Sequence, residues 1–299
     1  MIETPTPQTP GLYLNVPELA YHRDINACSQ SRLKTAVGRS FAHARHDMLN
    51  PRPQTPSMVL GSAVHCLALT PHLFDATYTT ATQCAGAKKS GDRCAYEGGV
   101  YCDGDWYCKT HAPGEHDASL IALTGEQMMY CRAMADELGR HKRFAKIADV
   151  APECREVTAI WEHPCGQLCK ARFDFVNESL GVIGDIKTTK DASPRAFPKA
   201  VMNYGYGFQA AMYTQIAAGL GLDVEHFVIG AVENTPHHGV ALYRVRDEVM
   251  AGCWDAMQSY IERYHECEQT GVWPGYGDDV LDVDLPRYGW TELELMDAA

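Results

Sequence analysis

Asp174, Asp185 and Lys187 have the types and spacing to hold a divalent cation beside a fixed positive charge. They stand in Arg172-Phe-Asp174-Phe-Val-Asn-Glu-Ser-Leu-Gly-Val-Ile-Gly-Asp185-Ile-Lys187-Thr-Thr, a β-rich run. Two residues apart on a strand, Asp185 and Lys187 point to the same face. A hairpin that pairs the run from Ala171 to Val176 antiparallel with the next, turning at Ser179-Leu180, sets Asp174 directly opposite Asp185. Cross-strand partners lie about 4.5–5.5 Å apart at Cβ, close enough for two carboxylates to share one ion. The competing reading is an Asp–Lys surface pair on an ordinary hairpin, and Asp-x-Lys alone is too short a pattern to choose between them.

Two helical segments bring further polar groups. Pro56-Ser-Met-Val-Leu-Gly-Ser-Ala-Val-His65-Cys-Leu-Ala-Leu has apolar residues at helical spacing, with His65 in mid-helix. Tyr204-Gly-Tyr-Gly-Phe-Gln209-Ala-Ala-Met-Tyr213-Thr-Gln-Ile-Ala-Ala reads as a second helix, with Gln209 and Tyr213 one turn apart on one face. By themselves these fit equally well a satisfied core or surface histidine and a helix face packed on a sheet. Taken in order, however, Gly61-Ser-Ala-Val-His65, Lys170-Ala-Arg-Phe-Asp174-Phe, Gly184-Asp-Ile-Lys-Thr-Thr189 and Gln209-Ala-Ala-Met-Tyr213 resemble the motifs of the PD-(D/E)XK nuclease superfamily. Within it they are similar to the RecE, or exonuclease VIII, type of phage recombination exonuclease. The likeness runs from about His65 to Tyr264 apart from one insertion.

The resemblance implies an α/β, restriction-endonuclease-like core in which helices flank a mixed central sheet. It implies His65 as a metal ligand beside Asp174 and Asp185, with the Ile186 carbonyl as a further donor to Mg²⁺ or Mn²⁺. Such an ion makes water nucleophilic near neutral pH and neutralises charge on the phosphorane oxygens. Lys187 then orients the attacking water or stabilises the transition-state oxyanion. Service as a general base requires a strongly lowered pKa, which two adjacent carboxylates oppose. Gln209 and Tyr213 would align substrate or the lysine. The implied activity is a Mg²⁺-dependent DNA exonuclease acting 5′ to 3′ on duplex ends, leaving single-stranded tails for a recombinase or a single-strand annealing protein. A ring-shaped homo-oligomer would keep such an enzyme on its DNA. The alternatives are an endonuclease or single-strand-specific nuclease of the same fold, and a non-catalytic DNA-binding or assembly protein.

Twelve cysteines in a chain with no secretory features do not read as a disulfide framework. Cys84, Cys94, Cys108 and His111 follow C-x9-C-x13-C-x2-H in a glycine-rich segment with few large aliphatics. A small unit of that kind cannot fold on core burial alone, and a tetrahedral Zn²⁺ would supply the missing stability. Cys102 rivals one of the four as a ligand, and a loop of reduced thiols is the plain alternative. The segment, 82–116, is an insertion relative to the nuclease pattern. Cys154, Cys165 and Cys169 could suggest an iron–sulfur cluster, but the C-terminal part offers only Cys253 and Cys267, without a dense Cys-x2-Cys group, so they read as ordinary thiols.

Length and composition accommodate this reading. A chain of 299 residues, 45% hydrophobic, can bury a full core, and no apolar run reaches transmembrane length. Its first ten residues, rich in Thr and Pro, lack the basic start and apolar stretch of a signal peptide, so a disordered lead over 1–15 and a cytoplasmic protein are expected. The net charge of −12 is concentrated: seven carboxylates against Arg287 alone put −6 into an acidic tail over 278–299. Basic clusters lie at Arg32, Lys34, Arg39 and Arg45, at Arg140 to Lys146, and at Lys190, Arg195 and Lys199 following Lys187. The last begins inside the proposed site and is the preferred phosphate contact, the first two reading as solvated helix faces. The nuclease domain spans 16–277. Its expected helices are 30–47 capped by Ser29, one through Leu69 capped by Ser57, one from a Thr124-Gly-Glu-Gln127 capping box to about 148, 208–218 and 247–269. Strands are expected near 154–162, 168–177, 181–187, 224–233 and 239–246.

Overall fold

The computed structural model describes residues 7–51, 53–96, 98–102, 105–112, 120–280 and 282–284. The chain begins with edge strand β1 (Gly11–Tyr13), helix α1 (Glu18–Arg23) and strand β2 (Cys28–Ser29). Helices α2 (Gln30–Gly38), α3 (Phe41–Leu49), α4 (Pro56–Leu69) and α5 (Phe74–Thr77) follow. Short strands β3 (Tyr78–Thr80), β4 (Val100–Cys102), β5 (Asp105–Tyr107) and β6 (Ile121–Leu123) frame the insertion. Helices α6 (Gly125–Arg140) and α7 (Lys142–Ile147) lead to the main strands β7 (Arg155–Glu162), β8 (Leu168–Asn177) and β9 (Val182–Thr189). Helices α8 (Phe197–Tyr204) and α9 (Tyr206–Gly219) cross over to β10 (His226–Glu233), and β11 (Val240–Arg244) and α10 (Asp247–Thr270) complete the fold.

The main sheet runs β1-β7-β8-β9-β10-β11, with β2 joining β8. Strands β7, β8 and β9 form an antiparallel meander, and β10 lies parallel to β9. A parallel neighbour cannot be reached by a tight turn, so α8 and α9 make the crossover. The first five residues of β9 are buried, as expected of a strand covered on both faces. On one face Phe173, Ile183 and Phe227 pack with Ala211, Ile216, Met257 and Ile261 of α9 and α10. On the other Phe175, Ile186 and Val232 pack with Ala63, Val64, Met134 and Leu138 of α4 and α6. The expected restriction-endonuclease-like core, a mixed sheet between helices, is the fold found.

Local departures have local causes. The lead expected to be disordered over 1–15 is ordered where Gly11–Tyr13 pairs antiparallel with Thr158–Ile160 at the outer edge of β7; residues 1–6 lie outside the described ones. Polar composition does not prevent a short segment from taking the free backbone groups of a sheet edge. The single helix expected over 30–47 breaks at Arg39-Ser40, where Ser40 Oγ accepts the His43 N–H and starts α3. Similarly, His141 Nδ1 accepts the Phe144 N–H and starts α7, interrupting the helix expected to reach 148. The cap of α4 is Thr55 rather than Ser57, its hydroxyl taking the Met58 N–H while Pro56 occupies the first turn. The Thr124–Gln127 capping box forms with both reciprocal hydrogen bonds.

Gly184 pairs with Phe175, and a Cβ there would lie 1.8 Å from the Phe175 ring. That ring is held edge-on by Phe144, with centroids 6.0 Å apart. Overpacking a well-filled site typically costs about 1–3 kcal/mol, so Gly184→Ala is expected to lower the unfolding free energy by that amount in a denaturant titration. Unchanged stability would show that Phe175 has room to move.

Candidate metal centre and active site

The site forms where β8 parts from β9. Their ladder ends at Phe175↔Gly184, so Asp174 and Asp185 are the next positions of the same register, just past the last pair. There the Ile186 peptide, which β8 no longer pairs, is taken up by side chains. Asp174 Oδ2 accepts the Ile186 N–H at 2.6 Å, and His65 Nε2 lies 2.8 Å from the Ile186 carbonyl. His65 reaches the site from the middle of α4, and its Nδ1 lies 3.2 Å from Asp174 Oδ2. On the same strand face as Asp185, Lys187 Nζ stands 2.9 Å from Oδ1 and 2.7 Å from Oδ2. Gln209 of α9 donates to Asp185 Oδ1 at 2.7 Å. Asp185 Oδ2 is buried and takes no well-directed hydrogen bond.

His65, Asp174, Asp185, Lys187, Gln209 and Ile186 thus gather at one point, whereas Tyr213 stands apart. Its ring packs edge-on against Phe173 and Phe227 beneath the carboxylates, which is the packing alternative open to that helix face. Lys190, Arg195 and Lys199 are exposed, in the turn past β9 and on α8.

Glu156 is the residue that motif reading missed. Its carboxylate lies with His65 and Asp174 in a group whose ligand atoms fall within 4.8 Å of one another. The pairs Arg155↔Phe175 and Val157↔Phe173 place it across from Asp174, so a register drawn for β7 and β8 would have found it. Its φ of +51° is in the left-handed region that non-glycine residues seldom adopt. Arg172 holds it there, Nε donating to Oε2 at 2.7 Å.

Burial disfavours every charge here, and the neighbours decide the outcome. For His65 burial acts against the imidazolium, but Asp174 outweighs it and lifts the pKa to about 9. Both ring nitrogens face acceptors, as a doubly protonated ring requires. Burial also opposes the Asp174 carboxylate, yet His65, Lys187 and the Ile186 N–H hold its pKa below the usual range. Asp185 is raised by burial and by the charge of Asp174, in spite of Lys187. Glu156 is likewise raised, by burial and then by Asp174. Lys187 is raised despite burial because Asp185 and Asp174 favour its cation. Each carboxylate that crowds another therefore takes its own positive partner. The donor set of Asp174, Asp185, the Ile186 carbonyl and one imidazole, with the buried Asp185 Oδ2 held only by the Lys187 ion pair, fits Mg²⁺ or Mn²⁺.

In the insertion, Cys84, Cys94, Cys108 and His111 bring their ligand atoms within 4.8 Å of one another, and Cys102 is outside that group. Cys94 and Cys108 Sγ are 3.9 Å apart, and His111 Nδ1 is 3.5 Å from Cys84 Sγ and 3.3 Å from Cys108 Sγ. Tetrahedral Zn²⁺ with Zn–S near 2.3 Å separates two sulfurs by about 3.8 Å, so the set has the right size. Burial opposes a thiolate at Cys84, but N–H groups of Cys108 and Gly86 aimed at its sulfur outweigh this and bring the pKa to about 6. The segment's residues 97, 103–104 and 113–116 lie outside the described ones. Among the described residues, Cys154, Cys165 and Cys169 form no such group.

Residues 29–281 match the model of a family described as a PDDEXK-like domain of unknown function (DUF3799). The chain belongs to that family. This PDDEXK-like chain also shares its fold with the crystal structure of a protein named "Putative exonuclease" from Eubacterium rectale. The TM-score is 0.56 at 16% identity, over 93% of this chain and 96% of that one. The crystal structure of SSO0001 covers 41% of this chain and 52% of its own at 16% identity, with a TM-score of 0.26, too low to carry an argument. A search of curated proteins gives no match. Among the described residues, no helix of this PDDEXK-like protein is long and apolar enough to cross a membrane.

The electrostatics yield a metal-free test. Because the folded-state pKa of His65 lies above its ordinary 6.5, the His65–Asp174 pair contributes stability that is complete below pH 6.5 and is lost as pH rises through about 9. An NMR titration should give His65 a pKa near 9, falling toward or below the ordinary value in Asp174→Asn. A pKa that Asp174→Asn leaves unchanged would break the pairing.

Proposed function

We propose that this chain is a Mg²⁺- or Mn²⁺-dependent deoxyribonuclease, an exonuclease that degrades one strand of linear duplex DNA from its 5′ end. The observation that carries the reading is the convergence of two carboxylates, a lysine and a peptide carbonyl released from the strand ladder at the parting of β8 and β9. Asp174, Asp185, the Ile186 carbonyl and His65 would hold the metal, His65 giving up one proton to do so. The bound ion supplies charge neutralisation at the phosphate and lowers the pKa of water. Lys187, kept cationic by its carboxylate neighbours, orients the nucleophile or meets the developing oxyanion rather than acting as a base. Gln209 fixes the Asp185 carboxylate in the orientation that serves the site. Lys190, Arg195 and Lys199, exposed beyond the end of β9, would follow the phosphate backbone. The 5′-to-3′ polarity and the delivery of single-stranded tails to a recombinase or annealing protein are supported by the likeness to the exonuclease VIII type. A ring-shaped homo-oligomer suits that activity, since a mildly acidic body grips DNA weakly at physiological salt. The insertion would carry one structural Zn²⁺ on Cys84, Cys94, Cys108 and His111.

Asp174→Asn and Asp185→Asn are each expected to abolish cleavage of end-labelled duplex DNA in Mg²⁺. Near-full activity in either would remove the site from the chemistry. Lys187→Ala should lower kcat by about 10²–10³-fold, the scale of one lost transition-state donor. Calorimetry should find its Mg²⁺ affinity retained, and lost affinity would make Lys187 a support of the metal instead. The wild type should leave closed circular duplex intact while degrading the linearised form, and cutting of circles would establish an endonuclease.

Freshly purified protein should contain about one zinc per chain, which EDTA removes slowly because a closed four-ligand site exchanges poorly. Its absence would leave the segment a loop of thiols.

A further inference from the structure

We propose that Tyr204 and Tyr206 form a stacking step for the nucleobase next to the phosphate held at Lys187. This rests on the nuclease reading above and adds a subsite for the strand being cut. The two rings lie stacked, centroids 5.7 Å apart and planes 27° from parallel. Tyr206 faces the site, its ring centroid 5.1 Å from Lys187 Nζ. Tyr204 faces solvent at 59% exposed, beside Met202 at 75%. Behind them Phe197 lies 6.3 Å from Tyr206 and stacks on Tyr243 at 4.6 Å. A row of rings therefore runs from the core, past the site lysine, to the largely exposed ring of Tyr204.

Single exposed aromatics are common on protein surfaces and ordinarily mean nothing. This one is held in place. Gly205, between the two tyrosines, has a φ of +69° that ends α8 and starts α9, turning both rings to one side. Helix α2 clamps that junction: Lys34 Nζ donates to the Tyr204 carbonyl at 2.8 Å and Gln30 Nε2 to the Gly205 carbonyl at 3.2 Å. Lys34 Nζ also lies over the Tyr204 ring, 5.7 Å from its centroid, a cation placed to meet the phosphate of a nucleotide stacked at that ring. None of these contacts buries Tyr204, so the clamp orders a ring that the core does not need.

An aromatic ring beside a phosphate site, with a lysine next to it, matches what a single-stranded nucleic acid offers, since every base has a π-face and carries a phosphate one sugar away. A base inside a duplex has both faces covered by its neighbours. The step therefore engages a nucleotide already unpaired at the end being degraded, and it accepts any of the four bases.

The test uses the full-length protein on linear duplex DNA whose nucleotide next to the cut is either normal or abasic. Cleavage is measured in Mg²⁺ and equilibrium binding by anisotropy in Ca²⁺. Tyr204→Ala should raise KM and Kd roughly 5- to 150-fold on normal DNA, the range for one lost base stack, with Tyr204→Trp restoring both and Tyr204→Leu restoring neither. On abasic DNA the wild type should weaken to the level of Tyr204→Ala and the variant should lose nothing further. Equal penalties for Tyr204→Ala on both substrates, or no penalty on normal DNA, would overturn the stacking step while leaving the nuclease intact. Base-dependent binding through Tyr204 without any cleavage would overturn the nuclease and leave the step standing. No binding to either DNA would overturn both.

Discussion

The two backbone groups of Ile186, which have no strand partner on the β8 side, set the design of this molecule. Where β8 leaves β9, the Ile186 N–H and carbonyl lose their strand partner inside a sheet covered on both sides. Buried backbone groups left without a partner cost about 1–3 kcal/mol each, so the fold must satisfy them with side chains. Asp174 takes the N–H and His65 meets the carbonyl. That requirement fixes the position of α4, which must cover this face of the sheet at the height that delivers His65. It fixes α9 equally, since Gln209 has to reach Asp185 on the opposite face. The same edge is what the proposed chemistry would use, because a carbonyl free of the ladder could turn from His65 to a cation.

Charge balance shapes the rest. Three carboxylates, Asp174, Asp185 and Glu156, crowd a half-buried space, and each is matched by its own cation: His65, Lys187 and Arg172. The match is incomplete, since Asp185 and Glu156 are still pushed above the usual carboxylate range by burial and by Asp174. A region that holds its carboxylates so reluctantly is stabilised by added positive charge, which is the electrostatic condition for binding a divalent ion. The strained φ of Glu156 belongs to the same picture, because backbone strain of about 1–3 kcal/mol persists where surrounding contacts over-determine it. The insertion works differently: with few apolar residues, it gathers thiols and N–H donors around a shared centre.

Much of this was legible in the sequence, and the reasons are physical. The period of two placed Asp185 and Lys187 on one face, and hairpin register placed Asp174 beside Asp185. Helical spacing put Gln209 where it meets Asp185, and the cysteine spacing picked out the four residues that converge. Glu156 escaped because its place depends on a second register, between β7 and β8, and on a backbone conformation that no side-chain pattern announces. The break at Arg39-Ser40 escaped because a serine inside a helical pattern caps a new helix only if its geometry allows. Tyr213 was assigned to the site by the motif resemblance and by sharing a helix face with Gln209, yet phase gives direction and not depth: its ring stops against Phe173 and Phe227. The acidic tail beyond Asp284 lies outside the described residues.

The proposed function requires a divalent cation at the parting of β8 and β9. Anomalous scattering from crystals grown with Mn²⁺ tests it most directly. A peak bonded to Asp174, Asp185 and the Ile186 carbonyl is expected, with the Asp185 carboxylate turned from Lys187 toward the ion and His65 displaced from that carbonyl. A peak at Glu156 and His65 alone, with Asp185 still paired to Lys187, or no peak at the parting, would contradict it.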